Sequence, residues 1–502
     1  MRFHFMKLLI TRITGALACL FAMMIGAQSA EVPKVWDEKA LAEWATPVAG
    51  LNVRPGHFTE KEYYSAPIDN LRTYPVYYPG HEPKGYWEFL QNVGPQPLIE
   101  TDKLQSDTDW IDAGQHVFEE LDVPSMRKWD PKLIESLRSA EVHQRLKTAM
   151  APDGTLFAVR WIPTSQGVAI GLTNCGGCHT RYLENGLKIN GAPANVPGPS
   201  QVGKIAFYAA SVLPLEGDPP GMAYYRNYGV PWLRDDIHEQ LKNMELPALG
   251  RLLGAVVRNG GFPRWGGSVY YPTKIPDLIG FKDRRWIDHT ATHQHREIGD
   301  LMRYAALVSY AEAYEFGPHK ILTESQRRID ARASDAALYA LARYIYSLQP
   351  PPNPNPLDDQ ACGGKRIFEQ QACGACHTPP LYTNNHLTPA EGFISPKDKP
   401  QYLEVMQLSV ETDSGLALKT RKGTGYYKVP SLKGLWYRGH YLHDGSVANL
   451  EEMFDPDRIK DTHFPGGWKL QGTGNRAIKG HPFGLALDPK ERTQLIAFLK
   501  TL

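Results

Sequence analysis

Apolar positions fall into three kinds of pattern along the chain. The first is a short run, Ile13 to Ala27, placed behind the basic residues Arg2, Lys7 and Arg12 and ended by the small residues Ser29 and Ala30. It is shorter than the ~20 apolar residues of a spanning helix. Its order of basic head, apolar middle and small-residue cut, after Ser29 or Ala30, is that of a secretory signal. The second kind covers residues 31–110, where Trp36, Trp44, Tyr63, Tyr64, Trp87 and several prolines occur with weak periodicity. This predicts an irregular wrapping segment. From about 110 the third kind sets in, with helical spacing. Asp112 to Glu120 predicts a helix start. Leu338, Leu341, Ala342, Ile345 and Leu348 form an apolar stripe behind the caps Ser334 and Asp335. Asp488-Pro-Lys-Glu491 is a capping box with proline at the first helical position, followed by Leu495, Ile496, Leu499 and Leu502.

Between the last two stripes lies Gln349-Pro-Pro-Pro-Asn-Pro-Asn-Pro356, a semi-rigid break that donates few backbone hydrogen bonds. The expected organisation is a signal at 1–30, the wrapping segment at 31–110, one domain at 111–349 and a second at 350–502. The fold class is mainly α, two tandem domains with long irregular insertions. A chain of 502 residues exceeds what one core usually organises. Its 42% hydrophobic and 22% charged residues are ordinary for a globular protein, and a net charge of +1 argues against nucleic acid as a partner. No stretch after the signal is long and apolar enough to span, so the mature form is expected without a membrane span and in the periplasm or secreted.

The six cysteines sort by position. Cys19 leaves with the signal, Cys362 stands alone, and the other four form Cys175-Gly-Gly-Cys178-His179 and Cys373-Gly-Ala-Cys376-His377. An intrachain disulfide framework is thereby excluded. In Cys-x-x-Cys-His on a helix, residues i, i+3 and i+4 share a face, so both thiols reach two vinyl groups while the histidine presents nitrogen to iron. Chance would supply such patterns at about 10⁻³ per chain of this composition. A zinc site needs paired ligands elsewhere, and a redox dithiol needs no histidine. The motifs therefore predict two covalently bound haem c groups with His179 and His377 as iron ligands.

Gly425-Tyr-Tyr-Lys-Val-Pro-Ser-Leu-Lys-Gly434 and Tyr441-Leu-His-Asp-Gly-Ser-Val-Ala-Asn-Leu-Glu451 resemble the segment after the second haem of bacterial di-haem cytochrome c peroxidases, which the methylamine-dehydrogenase maturation enzyme shares. The wide separation of the two motifs, together with Gly474-Asn-Arg-Ala-Ile-Lys-Gly-His481, is more similar to the di-haem rubber oxygenases. The resemblance implies two tandem cytochrome c-type haem domains. In it the N-terminal haem handles peroxide or dioxygen, and the C-terminal haem relays electrons from a donor protein. It also implies a calcium ion between the domains, near Val429-Pro430.

The family's methionine ligand for the relay haem has no counterpart, since Asp457 stands at that place. The late histidine of the oxygenases matches His481; Met453, His440, His443 and an open position are the alternatives. Between Thr180 and Pro214 there is no His or Met, which predicts an open or water-bound iron at His179 unless His238 or His289 folds over it. Arg296 or Glu297 could serve peroxide or dioxygen as charge donor and proton shuttle, or simply cap a helix. Trp286 or Trp265 could bridge the haems. Three functions compete: reductive activation of peroxide or dioxygen, electron transfer without catalysis, and oxidation of Tyr or Trp on another protein.

Overall fold

The computed structural model describes residues 31–124, 127–146, 148, 150–171, 174–195, 217–256, 261–262, 268–468 and 474–502. The expected signal segment lies outside them. Among the described residues no helix is long and apolar enough to cross a membrane.

Five helices frame the molecule: α1 (Asp107–Glu120), α2 (Ile298–Tyr310), α3 (Asp335–Ser347), α4 (Asp359–Gln370) and α5 (Pro489–Lys500). Helix α1 begins earlier than its apolar pattern suggests, because Ser106 and Asp109 form a capping box. Ser106 Oγ accepts from the Asp109 amide at 3.2 Å, and the Asp109 carboxylate accepts from the Ser106 amide at 2.7 Å. The expected caps of α3 (Ser334) and α5 (Asp488, with Glu491 and Pro489) are present.

Two helix crossings carry the two halves, and both use glycine at the closest point. A Cβ on Gly114 of α1 would lie 2.0 Å from the Ala340 carbonyl oxygen of α3. A Cβ on Gly364 of α4 would lie 1.9 Å from the Gln494 carbonyl oxygen of α5. Each glycine is followed four residues later by a buried phenylalanine, Phe118 or Phe368, which fills the core under the crossing. Around α1, α2 and α3 one core gathers Val117, Phe118, Met302, Leu307, Leu338 and Leu341; around α4 and α5 a second gathers Phe368, Leu450, Phe454, Leu495 and Leu499.

The segment before α1 is irregular in path but belongs to the first core. Trp36, Trp44 and Tyr63 are fully buried. Trp36 stacks on Tyr63 at 4.7 Å and donates to the Phe58 carbonyl, and Trp44 donates to the Gln294 carbonyl. A three-stranded antiparallel sheet, β1 (Tyr74–Tyr77), β2 (Thr155–Thr164) and β3 (Gly167–Gly171), links this segment to the first cysteine motif. Its registers are Tyr74 opposite Trp161 and Arg160 opposite Gly171.

Because backbone meets backbone at the crossings, Gly114→Ala and Gly364→Ala are each expected to destabilise the protein by roughly 1–3 kcal/mol through overpacking. Gly474, whose Cβ direction is open, serves as control, and Gly474→Ala should stay within about 0.5 kcal/mol of the parent. Urea unfolding of the three variants checks this; equal midpoints would refute it.

Candidate functional site

Strand β3 delivers the chain to Asn174, whose side chain accepts from the Gly177 amide at 2.7 Å and caps a one-turn helix, Cys175–Cys178. The His179 amide closes this turn on the Cys175 carbonyl at 3.0 Å. Both thiols and the imidazole thus leave one turn together, as the motif requires. Cys175 packs against the α1–α3 core. His179 is pushed down to about 4 by burial, opposed by the Pro276 carbonyl. That carbonyl lies close enough to favour the ring proton, although His179 Nδ1 makes no hydrogen bond of good geometry.

The second motif begins from left-handed Ala372 (φ 54°) and makes a 3₁₀ turn, Cys373–Ala375, closed by the His377 amide on the Cys373 carbonyl at 2.9 Å. His377 Nδ1 faces two carbonyls, Tyr382 and Pro430, each at 3.2 Å. These accept its proton and leave Nε2 with a lone pair for a metal.

Opposite His377 stands His481. The ring centroids are 6.2 Å apart. Metal–nitrogen bonds of about 2 Å, with ~1 Å more from nitrogen to ring centre, put two histidines on one metal about 6 Å apart. An iron between them fits. The alternatives, and the domain's other methionine Met406, are placed as follows. Met406 Sδ lies 3.8 Å from Cys376 Sγ, on the thiol side. His440 stacks on Trp468, and His443 packs on Tyr427 with Nε2 3.2 Å from Asp413. Met453 lines the same space from the α4–α5 core.

That space is a cavity of about 470 Å³ walled by Cys373, Cys376, His377 and His481, a cofactor-sized volume. Its charge is one-sided. Among the described residues Lys274, Arg284, Lys428 and Arg438 line it, against the single carboxylate Asp277. Burial pushes both lysines down to about 7, with Arg438 adding to the effect on Lys274 and Arg284 on Lys428. Buried charge needs a counter-charge. The donor set and the surplus cations therefore fit a haem, whose propionates are anionic.

The cations belong to a device that the sequence reading missed. Lys274-Ile-Pro-Asp-Leu-Ile-Gly280 and Lys428-Val-Pro-Ser-Leu-Lys-Gly434 are copies of one another, and Arg284/Arg438 and His289/His443 continue in the same frame. Structure repeats with sequence. The Pro276 carbonyl lies beside His179 without a hydrogen bond of good geometry to it, where the Pro430 carbonyl contacts His377 Nδ1 at 3.2 Å. Gly280 and Gly434 both sit at positive φ before a short helix. The copies bind each other reciprocally: the Lys274 amide donates to the His443 carbonyl at 2.7 Å, and the Lys428 amide to the His289 carbonyl at 3.0 Å. The shared Lys-x-Pro-x-Leu-x-Gly was the available signal.

The other candidates are placed as follows. Trp286 is buried, lines the cavity, and donates to the Asn385 carbonyl at 2.9 Å. Lys428 Nζ donates to the Trp286 and Ile287 carbonyls. Arg296 and Glu297, expected at the first haem rather than at this cavity, lie at the start of α2. Arg296 is held by both Asp300 oxygens and the Ala40 carbonyl at the start of α2, and the exposed Glu297 pairs with Arg303. His238 is engaged at both nitrogens, by Asp236 and Ser268, and His289 Nε2 by the Lys274 carbonyl. Val429 and Pro430, expected near a calcium ion, have carbonyls already used by Thr383 and His377. Trp265 and residues 196–216 lie outside the described residues.

Two curated proteins resemble the chain. One is the methylamine utilization protein MauG of Methylorubrum extorquens, 27% identical over 190 residues, 36% of this chain and 46% of that protein. The other is the cytochrome-c peroxidase IdrP1 of a Pseudomonas species, 25% identical over 233 residues, 40% and 55% of the two chains. The matches span about half the length of these relatives. No family model matches. Among solved structures, a MauG-like protein associated with microbial copper homeostasis aligns with a TM-score of 0.29 at 16% identity, over 46% of this chain and 73% of that one. Kuenenia stuttgartiensis hydrazine synthase aligns with a TM-score of 0.31 at 14% identity, over 64% and 98%. The chain's homologues are thus proteins of the di-haem peroxidase group. Its two curated relatives are a MauG and a cytochrome c peroxidase.

Two outcomes are expected. His481→Ala should convert one low-spin haem to high-spin, read by electron paramagnetic resonance; an unchanged low-spin signal would move the ligand to Met453 or His440. Lys428→Met should lower a haem reduction potential in a spectroelectrochemical titration, since a nearby cation favours the reduced form. An unshifted potential would separate the lysine from the cofactor.

Proposed function

We propose that the chain is an exported c-type cytochrome with two covalent haems, held by Cys175, Cys178 and His179 and by Cys373, Cys376 and His377. In this reading His377 and His481 would hold the second haem, which would supply electron relay from a donor protein. His179 would hold the first with an iron position left free, which would supply the chemistry for reducing peroxide or dioxygen. The observation that carries it is the facing of His377 and His481 across a cavity lined by two motif cysteines and surplus cations. Such haems supply one-electron chemistry and, where an iron position is free, a place for a small oxidant to bind.

The chain's own residues divide the work. Asn174 caps the turn of the first motif, and the Tyr382 and Pro430 carbonyls fix the tautomer of His377. Histidine in place of the peroxidases' methionine makes the relay haem a poorer oxidant. Trp286, buried at the junction of the two repeat copies, is an aromatic stepping stone between the domains. His238, whose two nitrogens are engaged by Asp236 and Ser268, is not free to close the first iron, and His289 spends Nε2 on the Lys274 carbonyl. Arg296 and Glu297, tied in ion pairs at α2, take no part in this reading.

Intact-mass analysis of the mature protein should show two haem masses on the cleaved chain. Cyanide or carbon monoxide should bind at one haem only, and His179→Ala should abolish that binding. If neither haem binds such ligands and peroxide leaves both spectra unchanged, the protein is a non-catalytic electron-transfer cytochrome and the oxidase-type reading fails.

A further inference from the structure

Arg458 is wholly buried, and its guanidinium spends itself on main-chain carbonyls. Nε donates to Met453 at 2.8 Å, Nη1 to Ile478 at 2.6 Å, and Nη2 to Gly480 at 2.9 Å and His481 at 2.7 Å. In return the Ile478 amide donates to the Arg458 carbonyl at 2.6 Å. Burying an arginine carries a desolvation cost that such a cage must offset, and the planar fork suits several acceptors at fixed angles.

The segment so gripped needs gripping. Gly480 sits at φ 91° and His481 at φ 52°, a left-handed conformation that a histidine adopts only under constraint. A Cβ at Gly480 would meet the Thr412 Cα at 2.8 Å, so Gly480 is fixed against that neighbour. On the other side the His481 amide donates to the Val410 carbonyl at 2.7 Å. Arg458 closes the frame, and through Met453 it ties the ligand segment to the α4–α5 core.

We infer that Arg458 is the positioning residue for the axial ligand of the second haem, locking the Ile478–His481 segment so that the His481 imidazole faces His377. This rests on the reading of His481 as ligand. Arg458 touches no reacting atom; it acts through the carbonyls it holds. Its removal frees both His481 and Met453, the latter a soft thioether already lining the cavity.

The test uses the holo protein. Arg458→Met and Arg458→Lys are compared with the parent by electron paramagnetic resonance, by carbon monoxide binding to the reduced form, and by imidazole titration of the oxidised form. Intact mass reports the haem count. Arg458→Met should show the second haem partly high-spin, a carbon monoxide-binding fraction at least tenfold above the parent at that haem, and a low-spin signal restored by imidazole. Arg458→Lys, with three donors and no fork, should fall between; it carries the same readouts should the methionine variant fail to accumulate. Two haems with the parent's low-spin signal and no new carbon monoxide binding in both variants would overturn the proposal. His481→Ala separates the two failures. If it leaves the low-spin signal intact, the ligand assignment is wrong; if it opens the haem while the Arg458 variants do not, only the clamp is wrong.

Discussion

A reciprocal exchange ties the two halves at their junction: the amides of Lys274 and Lys428 donate to the carbonyls of His443 and His289. The bonds are ordinary in strength, about 1 kcal/mol each. Their importance is geometric. Each lysine lies two residues before the proline whose carbonyl addresses a motif histidine, so the exchange sets the two histidines relative to each other. His289 adds a side-chain bond to the Lys274 carbonyl. Trp286 lies just before His289 and is held in place by Asn385. Displacing either copy would move both proposed iron sites together.

The same junction concentrates the structure's least comfortable charges. Lys274, Arg284, Lys428 and Arg438 enter a largely apolar space with Asp277 as their one lining acid. Arg438 takes the Asp277 carboxylate, shared with the Tyr437 hydroxyl. Arg284 makes do with backbone carbonyls. A polypeptide alone gains little from such an arrangement. An occupant with its own carboxylates turns the same residues into anchors.

Much of this was legible in the sequence. The helix caps Ser334 and Asp488 are local devices whose partners sit three residues away, and local rules suffice for them. The two cysteine motifs carry their chemistry in five residues. His481 drew attention because it follows Gly480, whereas the cage that Arg458 builds around its segment joins residues distant in sequence and could not be read from the motif. What escaped the sequence is non-local. The true start of α1 hid behind a capping box with aspartate in place of the usual glutamate. Arg296 and Glu297 make ion pairs with Asp300 and Arg303, partners that composition does not identify. The repeated Lys-x-Pro-x-Leu-x-Gly was visible but unread, because its meaning is a contact between copies rather than a property of either.

The burial of the first motif also bears on the order in which the molecule is made. Burial pushes the Cys175 thiol up to about 12 and the Cys178 thiol up to about 11. Neither would offer a reactive thiolate once the fold has closed. In the proposed reading, attachment of a haem to these thiols would come before α3 docks on α1 and completes the core against which Cys175 packs. Helix α3 is encoded far downstream of His179, so a chain emerging from its N-terminus passes through a stage in which the motif is complete and its lid has not arrived. Chain order itself supplies the window for assembly.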